Sequence, residues 1–146
     1  MRTVLLVDDE IDIRSVVEMS LTALGDWSVT TVTSGPEALE RLEQEVPNLI
    51  LLDVMMPGMD GMTTLGKIRE REVWASVPVI FMTAKVQKQE IDQYMRLGAV
   101  GVLSKPFDPM RLPTDIDQIL AGAIRERDGS TEEAIPSAEA NVLNAS

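Results

Sequence analysis

Asp8 and Asp9 follow the apolar run Val4-Leu5-Leu6-Val7, and Asp53 closes a second run, Leu49-Ile50-Leu51-Leu52. Short aliphatic runs of this kind read as strands buried on both faces, as in a parallel sheet covered by helices. If the two strands are neighbours, about 4.8 Å separates their backbones, and three carboxylates converge at one sheet edge. Two unit charges about 5 Å apart repel by roughly 3 kcal/mol at an effective dielectric of 20. No chain keeps such a cluster for stability. It calls for a cation, and oxygen ligands favour a hard divalent one.

Thr83 and Lys105 also close apolar runs, Val79 to Met82 and Val100 to Leu103. Each residue alone has a plainer use: an Asp ahead of a helix as an N-cap, a Thr as a turn former, a Lys as a solvated surface charge. Together they supply the separate requirements of phosphoryl chemistry. Asp53 can act as a carboxylate nucleophile and form an aspartyl phosphate. Asp8 and Asp9 can hold Mg²⁺, which spreads the charge of the transferring group. The Thr83 hydroxyl and a neighbouring backbone N–H can donate to phosphoryl oxygens, and Lys105 can add a point positive charge.

The elements that must position these residues alternate along the chain. Thr3 to Val7, Trp27 to Val32, Leu49 to Val54, Val79 to Met82 and Val100 to Leu103 read as strands. Between them run helical patterns: Ile13, Val16, Val17, Leu21 and Leu24, stopped at Gly25, then Leu39 and Leu42 behind a Ser34/Glu37 capping box. Leu65 and Ile68 follow the turn-rich 57–61 segment, and Ile91, Tyr94, Met95 and Leu97 precede Gly98. Ile116, Ile119, Leu120 and Ile124 mark a last helix that either starts near Pro113 or kinks there. Five βα units imply a doubly wound parallel sheet with right-handed crossovers, which binds ligands beyond the carboxyl ends of its strands. Asp8, Asp9, Asp53, Thr83 and Lys105 all fall at such ends.

Composition narrows the chemistry further. The 146 residues carry a formal net charge of −11, which disfavours nucleic acid or an anionic membrane as a direct partner. There is no Cys and no His, so thiol chemistry, thiolate-bound zinc and imidazole catalysis are all excluded. No apolar stretch approaches the ~20 residues of a membrane span, and the first residues do not form a signal peptide, so a cytoplasmic location is expected. Residues 126–146 form an acidic segment expected to be loosely attached, with a short helix over 138–143.

The order of the motifs matches a family. Val7-Asp8-Asp9-Glu10, the run Leu52-Asp53-Val54-Met55-Met56-Pro57-Gly58-Met59-Asp60-Gly61, Met82-Thr83-Ala84 and Lys105-Pro106-Phe107 resemble the receiver domain of two-component response regulators. The resemblance covers roughly Arg2 to Ile124 and places a receiver domain at 1–125. It implies an α/β flavodoxin-like fold, five parallel strands in the order 2-1-3-4-5 flanked by five helices. It makes Asp53 the phosphoacceptor, with Asp9 binding Mg²⁺ directly, Asp8 mainly through water and Met55 through its main-chain carbonyl. Thr83 becomes the switch hydroxyl, Ala84 the small residue whose N–H reaches the phosphoryl group, and Lys105 the phosphate-pairing lysine, with a cis Lys105–Pro106 peptide. Met55 and Lys85 flank the site and should influence phosphoryl lifetime.

One position departs from the family, which often carries Tyr or Phe three residues before the lysine. Here it is Val102, and a β-branched aliphatic cannot sweep the same volume. Tyr94, the chain's only Tyr, lies on the preceding helix and is no obvious substitute. The switch is therefore expected to run through Thr83 and a shift of the Ala84 to Gln87 loop.

The resemblance implies a stand-alone, non-enzymatic phosphoacceptor that promotes its own phosphoryl transfer and hydrolysis. Its donor would be a histidine kinase or a histidine phosphotransfer protein, and its output a changed contact with a protein target. That contact is expected on the surface of the fourth helix, fifth strand and fifth helix, with no nucleic acid or membrane partner, in a monomer or weak dimer. The competing readings are a receiver-like interaction module not switched by phosphate, a flavodoxin-like cofactor protein and a small-molecule phosphotransferase. The second is disfavoured by Asp8-Asp9-Glu10-Ile11-Asp12, which repels phosphate where an anion-friendly loop would be needed. The third lacks βα loops long enough to wall a substrate pocket.

Overall fold

The computed structural model describes the backbone of residues 1–128 and 142–144, and side chains over 1–124. Its elements are β1 (Arg2–Val7), α1 (Ile11–Leu24), β2 (Trp27–Val32), α2 (Gly35–Gln44), β3 (Leu49–Asp53) and α3 (Gly61–Glu70). After a short 3-10 turn at Glu72–Trp74 come β4 (Val79–Thr83), α4 (Lys88–Arg96), β5 (Gly101–Ser104), α5 (Leu112–Asp128) and β6 (Val142–Asn144). The strands form one parallel sheet in the order β2-β1-β3-β4-β5-β6. The expected 2-1-3-4-5 order is present.

The unbroken aliphatic runs follow from burial on both faces. Alternate residues of each strand go to opposite sides, as the two-residue period requires. Leu5, Val7, Ile50, Leu52 and Phe81 pack with Leu42, Leu65 and Ile68 of α2 and α3. Val4, Leu6, Leu49, Leu51 and Met82 pack with Val17 and Leu21 of α1 and with Leu112 and Ile116 of α5. Leu24, read as part of the apolar stripe of α1, is instead exposed at the last position of that helix.

Local chemistry sets the helix ends. The Ser34 hydroxyl accepts from the Glu37 N–H at 3.2 Å, while the Glu37 carboxylate reaches one residue beyond the cap, to the Thr33 N–H at 2.6 Å. The Asp60 side chain caps α3 by accepting from the Thr63 N–H at 2.8 Å. Pro113 is the second residue of α5, within the first turn where no intrahelical N–H is required, so the helix starts there and is not broken.

Two features differ from expectation. The boundary placed at 125 falls inside α5, which continues to Asp128. The helix expected over 138–143 lies largely outside the described residues, and its Val142 and Leu143 belong to a strand. That strand, β6, pairs with β5 in parallel, Val102 opposite Val142 and Ser104 opposite Asn144, so the sheet gains a sixth strand. An open sheet edge presents unpaired N–H and C=O groups that a short extended segment can satisfy, a preference that side-chain periodicity does not report. Among the described residues no helix is long and apolar enough to cross a membrane.

Candidate functional site

β1 lies directly beside β3 with Val7 opposite Leu52, so the next residue of each strand brings Asp8 against Asp53. On the far side of β3, Asp53 sits opposite Met82, and Thr83 is opposite Ser104 at the end of β5. The Lys105 N–H donates to the Thr83 carbonyl at 2.9 Å, which fixes where the lysine leaves the sheet. The following Lys105–Pro106 peptide is cis, as the resemblance implied. Register alone thus gathers residues far apart in the chain at one end of the sheet.

The side chains meet around Lys105. Its Nζ donates to Asp8 Oδ2 at 3.1 Å and to Asp53 Oδ1 at 3.2 Å, with Glu10 Oε1 at 3.8 Å. Asp8 is fully buried, and its Oδ1 accepts from the Glu10 N–H at 2.8 Å. Asp53 is 2% exposed; its Oδ1 also accepts from the Met55 N–H at 3.3 Å. Asp53 Oδ2 is buried with no hydrogen-bond partner. The Met55 side chain itself is exposed, so this residue enters the site through its backbone.

These surroundings push the Asp53 carboxyl up to about 6, chiefly through burial and then through the nearby Asp8 charge, against the pull of Lys105. Burial works to lower the Lys105 ammonium, but Asp53 and Asp8 outweigh it and hold the pKa above its ordinary value. The nucleophile candidate is therefore a strained anion with one free oxygen. Its main cation is a lysine shared with a second acid.

Asp8, Asp9, Glu10 and Asp53 each offer a carboxylate oxygen, and these atoms all lie within 4.8 Å of one another. Asp9 and Glu10 are exposed while Asp8 and Asp53 are buried, so the group opens toward solvent on one side. An all-oxygen donor set with an orphaned carboxylate oxygen fits a hard cation such as Mg²⁺. Glu10 was not singled out from the sequence; its adjacency to Asp8-Asp9 was the available signal.

Two backbone features make room for the cluster. Gly61 opens α3 with its N–H on the Val54 carbonyl at 2.9 Å, and a Cβ there would overlap the Asp53 carbonyl oxygen. Gly58 turns the loop with φ +77°, a conformation side chains disfavour. On the other side, the buried Thr83 hydroxyl accepts from the Lys85 N–H at 3.0 Å, and Ala84 is exposed at the rim. Tyr94, set aside on sequence grounds, is buried under this loop: its hydroxyl donates to the Lys85 carbonyl at 3.1 Å and its ring lies 5.2 Å from that of Phe81.

Comparison with known proteins agrees with this geometry. The family model described as response regulator receiver domain matches residues 4–117. The chain is 36% identical over 132 residues to the response regulator Rre1 of Synechocystis sp., covering 90% of this chain and 57% of that protein. It is 37% identical over 119 residues to the probable transcriptional regulator ycf27 of Cyanophora paradoxa, covering 82% of this chain and 48% of that one. The chain thus spans about half the length of these two relatives. The crystal structure of the chemotaxis response regulator CheY4 of Vibrio cholerae superimposes with a TM-score of 0.77 at 31% identity, over 82% of this chain and 98% of that one. The matched stretch holds the whole carboxylate, threonine and lysine cluster, and the chain belongs to the response regulator receiver domain family of two-component signal transduction.

Proposed function

We propose that this chain is a phosphorylation-dependent switch that accepts a phosphoryl group on Asp53 from a phosphohistidine donor. The observation that carries the reading is the pairing of a buried, partnerless Asp53 Oδ2 with a lysine and three further carboxylates at the carboxyl edge of the sheet. Asp53 Oδ2 attacks phosphorus, the new O–P bond forms as the N–P bond to the donor imidazole breaks, and the imidazole leaves with the electron pair. Lys105 transfers one of its hydrogen bonds from Asp53 to a phosphoryl oxygen. Thr83 and the Ala84 N–H donate to the others. Asp8, Asp9, Asp53 and the Met55 carbonyl are the residues proposed to hold Mg²⁺, which would neutralise charge on the transferring group. These 146 residues contain no His, so the donor histidine lies outside them, on a kinase or phosphotransfer protein.

The output proposed is a changed protein contact at α4, β5 and α5, driven by the charge-assisted bond from Thr83 to the phosphoryl group, worth roughly 1.5–3 kcal/mol. A bias of that size shifts a two-state population about tenfold or more. Asp53→Asn should abolish formation of a base-labile acyl phosphate from a small phosphodonor with Mg²⁺, read by intact mass and peptide mapping. A phosphoryl group mapped to Asp8, Asp9 or Thr83 would overturn the assignment.

A further inference from the structure

The β4–α4 loop carries a second hydrogen-bonded path out of the site, and it ends on an aromatic ring. Thr83 Oγ1 accepts from the Lys85 N–H at 3.0 Å, and the carbonyl of the same Lys85 accepts from the Tyr94 hydroxyl at 3.1 Å. Lys85 itself is exposed and the segment from Ala84 to Gln87 has no regular structure; its far end is tied to α4 by the Gln87 N–H on the Glu90 carboxylate at 3.1 Å, while the Tyr94 hydroxyl holds its Lys85 end. Tyr94 is only 2% exposed, with its ring tilted against Phe81 at 5.2 Å, and both belong to the core that contains Val102. Its phenol is pushed up chiefly by burial. An open depression of about 360 Å³, lined by Ala84, Lys85, Val86, Gln87 and Glu90, lies along the loop and leaves it room to move.

We infer that Tyr94 positions the Lys85 end of the β4–α4 loop in the unphosphorylated protein, and that turning Thr83 toward a phosphoryl group on Asp53 releases the Tyr94 hydroxyl from the Lys85 carbonyl. The inference rests on the proposed role of Asp53. Thr83 cannot move toward phosphate and keep its bond from the Lys85 N–H unless the backbone at Lys85 follows. The N–H lies in the Ala84–Lys85 peptide and the acceptor of the Tyr94 hydroxyl in the Lys85–Val86 peptide, so displacing the Lys85 Cα carries that acceptor with it. The signal therefore reaches α4 through the two peptide units that flank Lys85 and one phenol. Val102, buried in the same core and stiff at its Cβ, takes no part in the motion.

The chain has one Tyr, so biosynthetic fluorotyrosine labelling gives a single tyrosine fluorine resonance. With Mg²⁺ and beryllium fluoride, the bound fluoride signal reports occupancy at Asp53 while the tyrosine signal reports the ring. The expected result is a bound signal with a shifted tyrosine resonance, and a bound signal without that shift in Thr83→Ala. Tyr94→Phe keeps the ring on Phe81 and removes the hydroxyl. It should speed phosphorylation by a small acyl phosphate about fivefold, the worth of one neutral hydrogen bond holding the loop back. A merely structural contact would leave that rate unchanged or lower it. A bound signal with an unmoved tyrosine, an equal shift in Thr83→Ala, or no acceleration in Tyr94→Phe would each overturn the inference. Absence of any bound fluoride signal would overturn the Asp53 reading beneath it.

Discussion

Lys105 is the residue that makes the carboxylate cluster tolerable. Without a cation, Asp8 and Asp53 would face each other in a buried site, and the measure of that strain is the Asp53 carboxyl pushed up to about 6 even with Lys105 attached. Asp9 is different: it is exposed and forms no ion pair with Lys105, so its charge contributes little to the fold and can serve the metal. Asp9→Asn should therefore weaken Mg²⁺ binding by at least about tenfold, the lower end for disturbing even a supporting group around a metal, with unfolding unchanged. Calorimetry is the suitable probe. Trp27 opposes Arg2 at the far end of the strands, five residues and roughly 16 Å from Val32 and Val7. Trp74 precedes β4 at that same end, so neither indole senses the site. Equal affinity in the variant would remove Asp9 from the ligand set.

At the scale of elements, two glycines of α3 separate the demands of the site from those of the helix. Gly61 is pressed against the Asp53 carbonyl, whereas a Cβ at Gly66 would meet nothing within 4 Å. Gly61→Ala should lower stability by roughly 1–3 kcal/mol, the range for forcing a methyl group into a filled space. Gly66→Ala should raise it by about 0.5–1 kcal/mol, because Gly is a poor helix residue and nothing opposes the new methyl group. Urea titration of the two variants gives both signs. If Gly61→Ala is neutral, the contact between α3 and the end of β3 is looser than it stands here, and Asp53 is not held by it.

For the molecule as a whole, the raised Asp53 carboxyl couples stability to pH. Its pKa is about 6 in the folded chain against a reference value of 3.8, so between those limits the folded state binds more protons than the unfolded one. Metal-free stability should fall as pH rises from about 4 to about 6, by on the order of 2–3 kcal/mol from this group, and then level off. Exposed Glu37 and Asp26, held low by Thr33 and Arg2, work the other way as pH falls, so the contribution is isolated by difference. Asp53→Asn, melted in the presence of a chelator, should exceed the wild type at pH 7 and converge with it near pH 4. Mg²⁺ should stabilise the wild type at pH 7 and do less for the variant, since a ligand adds stability only by binding the native state. Parallel melting curves for the two proteins across this range would show that Asp53 is not the strained group.

Local patterning and motif order were enough to identify the sheet, its helices and the residues at the strand ends. Buried strands need unbroken aliphatic runs, helices need their caps, and Asp8, Asp53, Thr83 and Lys105 each stand where a run stops. What neighbouring residues cannot encode is which groups meet across the sheet. That Lys105 bonds both Asp8 and Asp53 follows from the β1–β3, β3–β4 and β4–β5 registers, and that Gly61 must lack a side chain follows from the return of α3 onto the end of β3. Tyr94 lies on the helix before Val102 and so reads as no substitute for an aromatic there; packing of its ring on Phe81 brings its hydroxyl to the Lys85 carbonyl. The strand at Val142–Asn144 is a response to the open edge of β5, a property of the assembled sheet and not of the segment that fills it. Side-chain type and spacing determined the parts of this protein, because propensity and burial act over a few residues. The tertiary structure decided their couplings, because charge and hydrogen bonding act through space.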